Sequence, residues 1–181
     1  ILGLIEKKHW NLLSQFLVLS GLRFGEAAAL CTKDVDLVSM TIHVTKTYDS
    51  EHKVVTSPKT YDSFRDIYIQ PELESVCREI VEYFPPDRDL FFYNSRGGHI
   101  QYKSYSQYLK KISKNEIDKV ITPHIFRHTH VSLLAEAGVQ LEVISRRLGH
   151  SNSDLTRKIY LHVTRKQKEK DREKMEKIYL L

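Results

Sequence analysis

Between Thr122 and Tyr160 the chain opens with T-P-H-I-F-R-H-T-H and closes with G-H-S-N-S-D-L-T-R-K-I-Y. His124 and Arg127 fall within one turn of a run with helical spacing, His150 follows, and Tyr160 comes after it. A guanidinium grips phosphate oxygens as a fork, an imidazole moves protons or donates hydrogen bonds, and a phenol can act as nucleophile. Together these groups suit covalent chemistry on a phosphate. A phenol with a pKa near about 10 needs positive neighbours and a proton acceptor to attack at neutral pH. His124 is the natural acceptor.

The elements that must position these groups are legible from periodicity. Residues 4–20 carry Leu4, Ile5, Trp10, Leu13, Phe16, Leu17 and Leu19 at helical spacing, and Gly21 reads as the glycine that ends that helix. Arg23 then lies in a tight junction before a short helix containing Ala27 to Leu30, with Glu26 one turn on, able to orient its guanidinium or merely pair with it. Between Asp36 and Ile69 the period becomes two. Residues 40–44, 52–55 and 65–69 read as strands of a three-stranded antiparallel meander, and Lys59 falls at one of its turns. Lys46 and Lys53 lie close enough in sequence to compete for any role given to Lys59.

Pro71 to Phe84 reads as a helix, Leu90 to Tyr93 as a short apolar piece closed by a loop, and Tyr102 to Ile112 as a further helix with lysines on its outer face. Pro123 opens the next helix with Thr122 as its cap, and Gly138 closes it. Val139 to Leu148 forms another, ended by Gly149, and a last helix carries Leu155, Ile159 and Tyr160. The charged run from Arg165 to Lys174 is expected to be a solvated helix or tail, and Met175, Ile178, Tyr179, Leu180 and Leu181 give it a sticky end. The domain expectation is 1–163 for the catalytic unit and 164–181 for the charged tail.

At 181 residues the chain is long enough for one domain with a true core. A net charge of +5 mildly favours an anionic partner. No apolar run reaches the ~18 residues of a membrane helix. Cys31 and Cys77 lack metal-ligand or CxxC spacing and read as buried free thiols in a reducing cytosol. Beginning at Ile1, the sequence reads as a fragment whose upstream domains are absent.

Two other readings compete locally. His124, His128 and His130 invite a metal, but the zincin pattern needs a glutamate where Ile125 stands, and no carboxylate or cysteine completes a site. Leu134 to Val139 followed by Val143 to His150 has the spacing of a helix-turn-helix, the signature of a non-enzymatic DNA-binding regulator. That alternative leaves Arg23 and Tyr160 without a purpose.

The elements G-L-R-F-G-E, P-K-T, H-I-F-R-H-T, L-G-H and K-I-Y-L-H-V occur in that order over nearly the whole chain. As a set they resemble the catalytic domain of the tyrosine recombinases, the integrases of phages and integrative conjugative elements. The resemblance implies a mainly helical α+β fold with a small three-stranded antiparallel sheet. It makes Arg23 the first catalytic arginine, Glu26 its acidic support, Lys59 the hairpin lysine, His124 and Arg127 the H-x-x-R pair, His150 the later histidine and Tyr160 the nucleophile. Phe126 stands where the family usually has leucine. The implied activity is cleavage and rejoining of DNA through a 3′-phosphotyrosine link, for integration and excision of a mobile element; a tyrosine topoisomerase is the rival within the enzymes. No cofactor and no metal are required. The implied partners are double-stranded DNA attachment sites and a homo-tetramer on DNA, with exchange of the C-terminal segment and an accessory directionality factor. The implied location is the bacterial cytoplasm, at the nucleoid when on DNA, with no membrane partner.

Overall fold

Helix α1 (Lys8–Ser20) forms the spine of the main core, because Leu12, Leu13, Phe16 and Leu17 recur on its inward side and are shut from solvent. The computed structural model describes residues 1–57, 63–85, 89–149 and 154–178. Gly21 ends α1 with φ +72°, its N–H bonded to the Leu17 carbonyl at 3.0 Å. A methyl group there would lie 2.4 Å from the His130 ring, so the position needs glycine for both its backbone conformation and its lack of a side chain. The chain then turns through Arg23 into α2 (Phe24–Ala29).

Strands β1 (Val35–Asp36), β2 (Thr41–Val44) and β5 (Arg65–Tyr68) make an antiparallel sheet in the order β1-β2-β5, with Ile42 opposite both Val35 and Ile67. Strands β3 (Thr47–Asp49) and β4 (Val54–Thr56) form a separate two-stranded hairpin. The small antiparallel sheet is therefore present, but it is not the meander expected from periodicity. Val35–Asp36 supplies its third strand, and the β-branched run at 54–56 stands outside it. The reason is burial: Ile42, Val44 and Ile67 share one inward face, whereas every residue of β4 is exposed and has no face to bury in a core sheet. Tyr48 is the buried residue of the hairpin, stacked on His99 at 4.0 Å between ring centres, and β3 lies close against Gly25 of α2.

Helix α3 (Pro71–Tyr83) buries Leu73, Val76, Cys77 and Ile80 against α1. Burial pushes the Cys77 thiol up to about 12, so it is inert, as expected for a core thiol. Cys31 departs from that expectation: it is half-buried, with the Lys46 ammonium 3.2 Å from its sulfur. Helix α4 (Tyr102–Ile117) runs past the expected end at Ile112, because Ser113 is buried and the left-handed stop comes at Asp118, φ +48°. Its Tyr105 sits in an aromatic column, 4.9 Å from Trp10, 5.8 Å from Phe24 and 6.3 Å from Phe126, joining α1, α2 and α4 to α5.

Helix α5 (His124–Glu136) begins one residue after Pro123, which is itself the cap. The Thr122 side chain makes no capping bond; its carbonyl accepts the Ile125 N–H at 3.0 Å instead. Helix α6 (Leu141–Leu148) ends at Gly149, φ +69°. Val131, Ala135, Ile144 and Leu148 form a second, smaller apolar cluster, on which Ile159, Tyr160 and Val163 of α7 (Asp154–Met175) pack. The charged run continues α7 without a break, and Met175 and Ile178 at its end are exposed. Tyr179 to Leu181 lie outside the described residues. No helix among the described residues is long and apolar enough to cross a membrane.

One side-chain lock holds these parts in register. His130 is buried and donates from Nδ1 to the Val18 carbonyl at 2.7 Å, so Nε2 is left to accept from Arg147 Nε at 3.2 Å. Arg147 also donates to the carbonyls of Tyr68 (3.0 Å) and Leu19 (3.2 Å) and to Gln70 Oε1 (2.9 Å). It thus ties α6 to α1, β5 and the start of α3. Burial, then the Arg147 charge, pull the His130 pKa down to about 4.

Two stability outcomes follow from this lock. Gly21→Ala combines left-handed backbone strain with overpacking against His130, and should lower the unfolding free energy by about 2–4 kcal/mol. Gly3→Ala, with open space around its Cα, should change it by less than about 0.5 kcal/mol. Urea titration of both variants checks this. The second outcome concerns pH. His130 takes a proton more readily when unfolded, near 6.5, than when folded, near 4. Its contribution is therefore intact above pH 6.5 and is lost as pH falls toward 4, by on the order of 3 kcal/mol in total. In His130→Gln the urea midpoint should vary less over that window than in the parent.

Candidate active site

Arg23, Glu26 and Arg65 form the floor of the site. Arg23 is the residue before α2, so its backbone N–H has no helical partner. Glu26, one turn later, accepts that N–H on Oε2 at 2.7 Å and accepts Arg23 Nη1 on Oε1 at 2.7 Å. The carboxylate thus bonds both the backbone and the guanidinium of Arg23. From the first position of β5, Arg65 reaches the same carboxylate as a fork, Nη1 to Oε1 at 3.1 Å and Nη2 to Oε2 at 3.0 Å. The Arg65 and Glu26 side chains are 5% and 4% exposed, while Arg23 is 38% exposed and opens outward. Burial alone would push the Glu26 carboxyl up; bonding to Arg65 and the charges of Arg65 and Arg23 outweigh it and hold the pKa below the usual carboxylate value.

Arg127 enters from the first turn of α5. It donates Nη1 to the Gly21 carbonyl and Nη2 to the Leu148 carbonyl, both at 2.7 Å. It is therefore held by backbone dipoles rather than by a carboxylate. Burial, then repulsion from Arg23, pull its pKa down to about 9, with Glu26 acting the other way, and it remains a cation at neutral pH. Three guanidiniums thus lie close to the single carboxylate of Glu26, which bonds those of Arg23 and Arg65 and acts on that of Arg127 only through its charge.

A pocket of about 190 Å³ opens above this group, lined by Arg23, His124, Arg127, His128, Val131, Leu155, Thr156 and Ile159. His124, Arg127 and Arg23 line it together. His128 also lines it; burial, then the neighbouring His124 and Arg127, lower its pKa and favour the neutral imidazole. The three histidines do not converge as metal ligands, since His130 turns away to Val18 and Arg147. Tyr160 does not line the pocket. It is half-buried on α7 against Val131, Ala135, Ile144 and Leu148, beside the wall formed by Thr156 and Ile159. Lys59 and His150 lie outside the described residues. Of the lysines near Lys59, Lys46 is bound to Asp34 at 2.7 Å, and Lys53 occupies the β3–β4 turn with φ +58°.

Arg65, His128, His130 and Arg147 were not singled out for these roles by their sequence context. The cue for Arg65 was register: Arg65 shares the inward side of its strand with Ile67, and a charge at an inward position needs a buried partner. For His130 it was helical phase, one turn from Phe126 on the side of α5 that enters the core. Nothing local marked Arg147, whose four partners come from distant parts of the chain.

The phage integrase family model matches residues 5–167. The integrase of Staphylococcus phage L54a is 34% identical over 181 aligned residues, covering 88% of this chain and 49% of that relative. The ICEBs1 integrase of Bacillus subtilis (strain 168) is 32% identical over 168, covering 83% of this chain and 44% of the relative. This chain therefore spans about half the length of the relatives it matches. Among solved structures, the Tn1549 transposon integrase in complex with circular intermediate DNA superposes with a TM-score of 0.74 at 22% identity, covering 92% of this chain and 60% of that one. XerA recombinase superposes with a TM-score of 0.72 at 23% identity, covering 94% and 61%. On the extent of the family match and the identity to these integrases, the chain belongs to the phage integrase family.

Proposed function

We propose that this chain is the catalytic part of a site-specific DNA recombinase that integrates and excises a mobile element through a 3′-phosphotyrosine intermediate. The observation that carries this reading is that Arg23 and Arg127 line one pocket with His124, above a buried Glu26 that bonds Arg23 and Arg65. Three positive charges against one negative leave an excess suited to a phosphodiester whose non-bridging oxygens gain charge during in-line attack. Arg23 and Arg127 bind those oxygens. The Tyr160 phenol attacks phosphorus, His124 takes its proton, and the bond to the 5′-oxygen breaks. The family likeness assigns protonation of that oxygen to Lys59 and a further donor to His150. The phosphotyrosine retains the energy of the broken bond, so a 5′-hydroxyl of another strand can reverse the step and complete strand exchange. None of these steps calls on a metal or cofactor.

Because Tyr160 rests beside the pocket rather than in it, the reaction requires α7 to turn or slide along α5 until the phenol replaces Ile159 at the wall. The partner is double-stranded DNA, as for the Tn1549 integrase solved with DNA. Assembly is a tetramer on two duplexes with the 175–181 segment passed to a neighbour, assisted by a directionality factor, in the bacterial cytoplasm at the nucleoid. The helix-turn-helix alternative is weakened by Arg147, which its second helix turns inward to Tyr68, Leu19 and Gln70 instead of outward to a groove.

The decisive test uses a pool of singly nicked duplexes with randomised cores, resolved on a denaturing gel after incubation with the protein. A slow protein–DNA band that vanishes in Tyr160→Phe is expected, with duplex binding retained. Binding without any covalent band in the parent would favour the regulator, and a band surviving in Tyr160→Phe would move the nucleophile elsewhere. Arg127→Ala should slow formation of the covalent band by on the order of 100- to 1000-fold, the scale of losing one preorganised charged donor. Single-turnover kinetics on the captured duplex measure that loss.

A further inference from the structure

We infer that Arg65 is a positioning residue for strand cleavage: it occupies the forked face of Glu26, so that Arg23 is steered without being neutralised, and fixes the turn that orients Arg127. This rests on the function proposed above. A carboxylate beside an arginine is most stable in a two-pronged pair, which would bind Arg23 by two donors and draw its charge into the interior. Here that fork is taken by Arg65, one Nη on each oxygen of Glu26. Arg23 gives Glu26 only Nη1 and its backbone N–H. Its remaining donors face the pocket, and its side chain stays more than a third exposed.

The other edge of Arg65 reaches the second arm of the site. Nε donates to the Arg147 carbonyl at 2.7 Å, and Nη1 also meets the Ser63 carbonyl at 3.1 Å. The next carbonyl, that of Leu148, receives Arg127 Nη2. Gly149 closes over the same guanidinium so tightly that a methyl group would lie 2.8 Å from Arg65 Nη1. One buried plane of atoms thus spaces the Arg23 arm against the Arg127 arm. A lysine keeps the charge but offers no fixed fork and cannot hold both arms. A pair buried for stability alone would be a poor investment of two charges, since such pairs commonly stabilise little compared with apolar replacements.

The variant is Arg65→Lys, checked for folding by thermal melting. On the duplex captured by the covalent assay, single-turnover cleavage should fall on the order of 30-fold with duplex binding unchanged. In an Arg23→Ala background the same substitution should cost several-fold less than in the parent, because the part of the effect that passes through Arg23 is gone and only the Arg127 arm remains. Equal losses in both backgrounds would mean a merely structural role and would overturn the inference. A nicked duplex with a neutral methylphosphonate at the scissile position should shrink the Arg65→Lys defect, since the charge that Arg23 serves is gone; an undiminished defect also overturns it.

A readout independent of the reaction separates this inference from the function it rests on. In arginine side-chain 15N spectra of the chain without DNA, Arg23 should rotate more slowly in Arg65→Lys than in the parent, as it closes into a fork on Glu26. If the parent forms no covalent product, the function fails, yet this comparison still decides the role of Arg65. Should Arg65→Lys not fold, the parent suffices. Its Arg65 Nε–H should exchange far more slowly than that of Arg78, which is 60% exposed, and Arg23 should show single-point attachment. A fork-bonded Arg23 or a fast-exchanging Arg65 overturns the inference.

Discussion

The whole site depends on one buried carboxylate among too many guanidiniums. Glu26 is nearly sealed from water, and a carboxylate there survives as an anion only because Arg65 and Arg23 bond it from three sides. Neutralising one charge with one charge would give an inert ion pair. The addition of Arg127, held by carbonyl dipoles of Gly21 and Leu148, leaves the group positive overall. Burial, and then the Arg23 charge, depress the Arg127 pKa, and an anion brought to such a centre would offset the second of these. The affinity for an anion is thus stored in the unliganded fold.

Keeping like charges close requires a rigid frame, and the frame is built from backbone. The α1 terminus can pass within contact of α5 only because Gly21 lacks a side chain, which lets the His130 ring lie against it and bond Val18. Arg147 then locks α6 across three elements through four donors. The aromatic column from Trp10 through Tyr105 to Phe126 sets the start of α5, so His124 and Arg127 point from a fixed base. Apolar packing places the helices, and the arginines on their ends inherit that precision.

Helical phase made much of this legible. The junction after the capping glycine that carries Arg23, and the single helical turn that carries His124 and Arg127, were both readable from phase, while their convergence on one pocket is a product of the fold. The sheet was less legible because a β-branched run signals strand but not partner: Val54 and Val55 form a strand that buries nothing, while the two-residue strand Val35–Asp36 completes the core sheet. Arg65 was hidden by the same ambiguity, since its fork partner Glu26 belongs to a different helix and only the folded register joins them. Thr122 misled because a good capping residue before proline is not needed when the proline's own geometry starts the helix. Lys59 and His150 fall outside the described residues, so their roles rest on family likeness.

The position of Tyr160 gives the arrangement its logic on the proposed reading. A nucleophile permanently seated among three guanidiniums would itself compete with phosphate for their donors. Instead, its ring rests on the aliphatic side chains of Val131, Ala135, Ile144 and Leu148, while Thr156 and Ile159 wall the pocket. Adjacent residues on a helix differ by about 100° in direction, so exchanging Ile159 for Tyr160 at that wall asks for a rotation of α7 on that scale and a repacking of its inner face. Only Thr156 of α7 is buried among the described residues, and the helix otherwise lies on a small cluster and a solvated charged face. Apolar packing on α5 and the small cluster holds α7 through Ile159, Tyr160 and Val163, whereas the arginine frame beneath it is tied by buried hydrogen bonds. On that reading the arginines are in place before the nucleophile is, and cleavage requires a shift of α7 that brings Tyr160 to them.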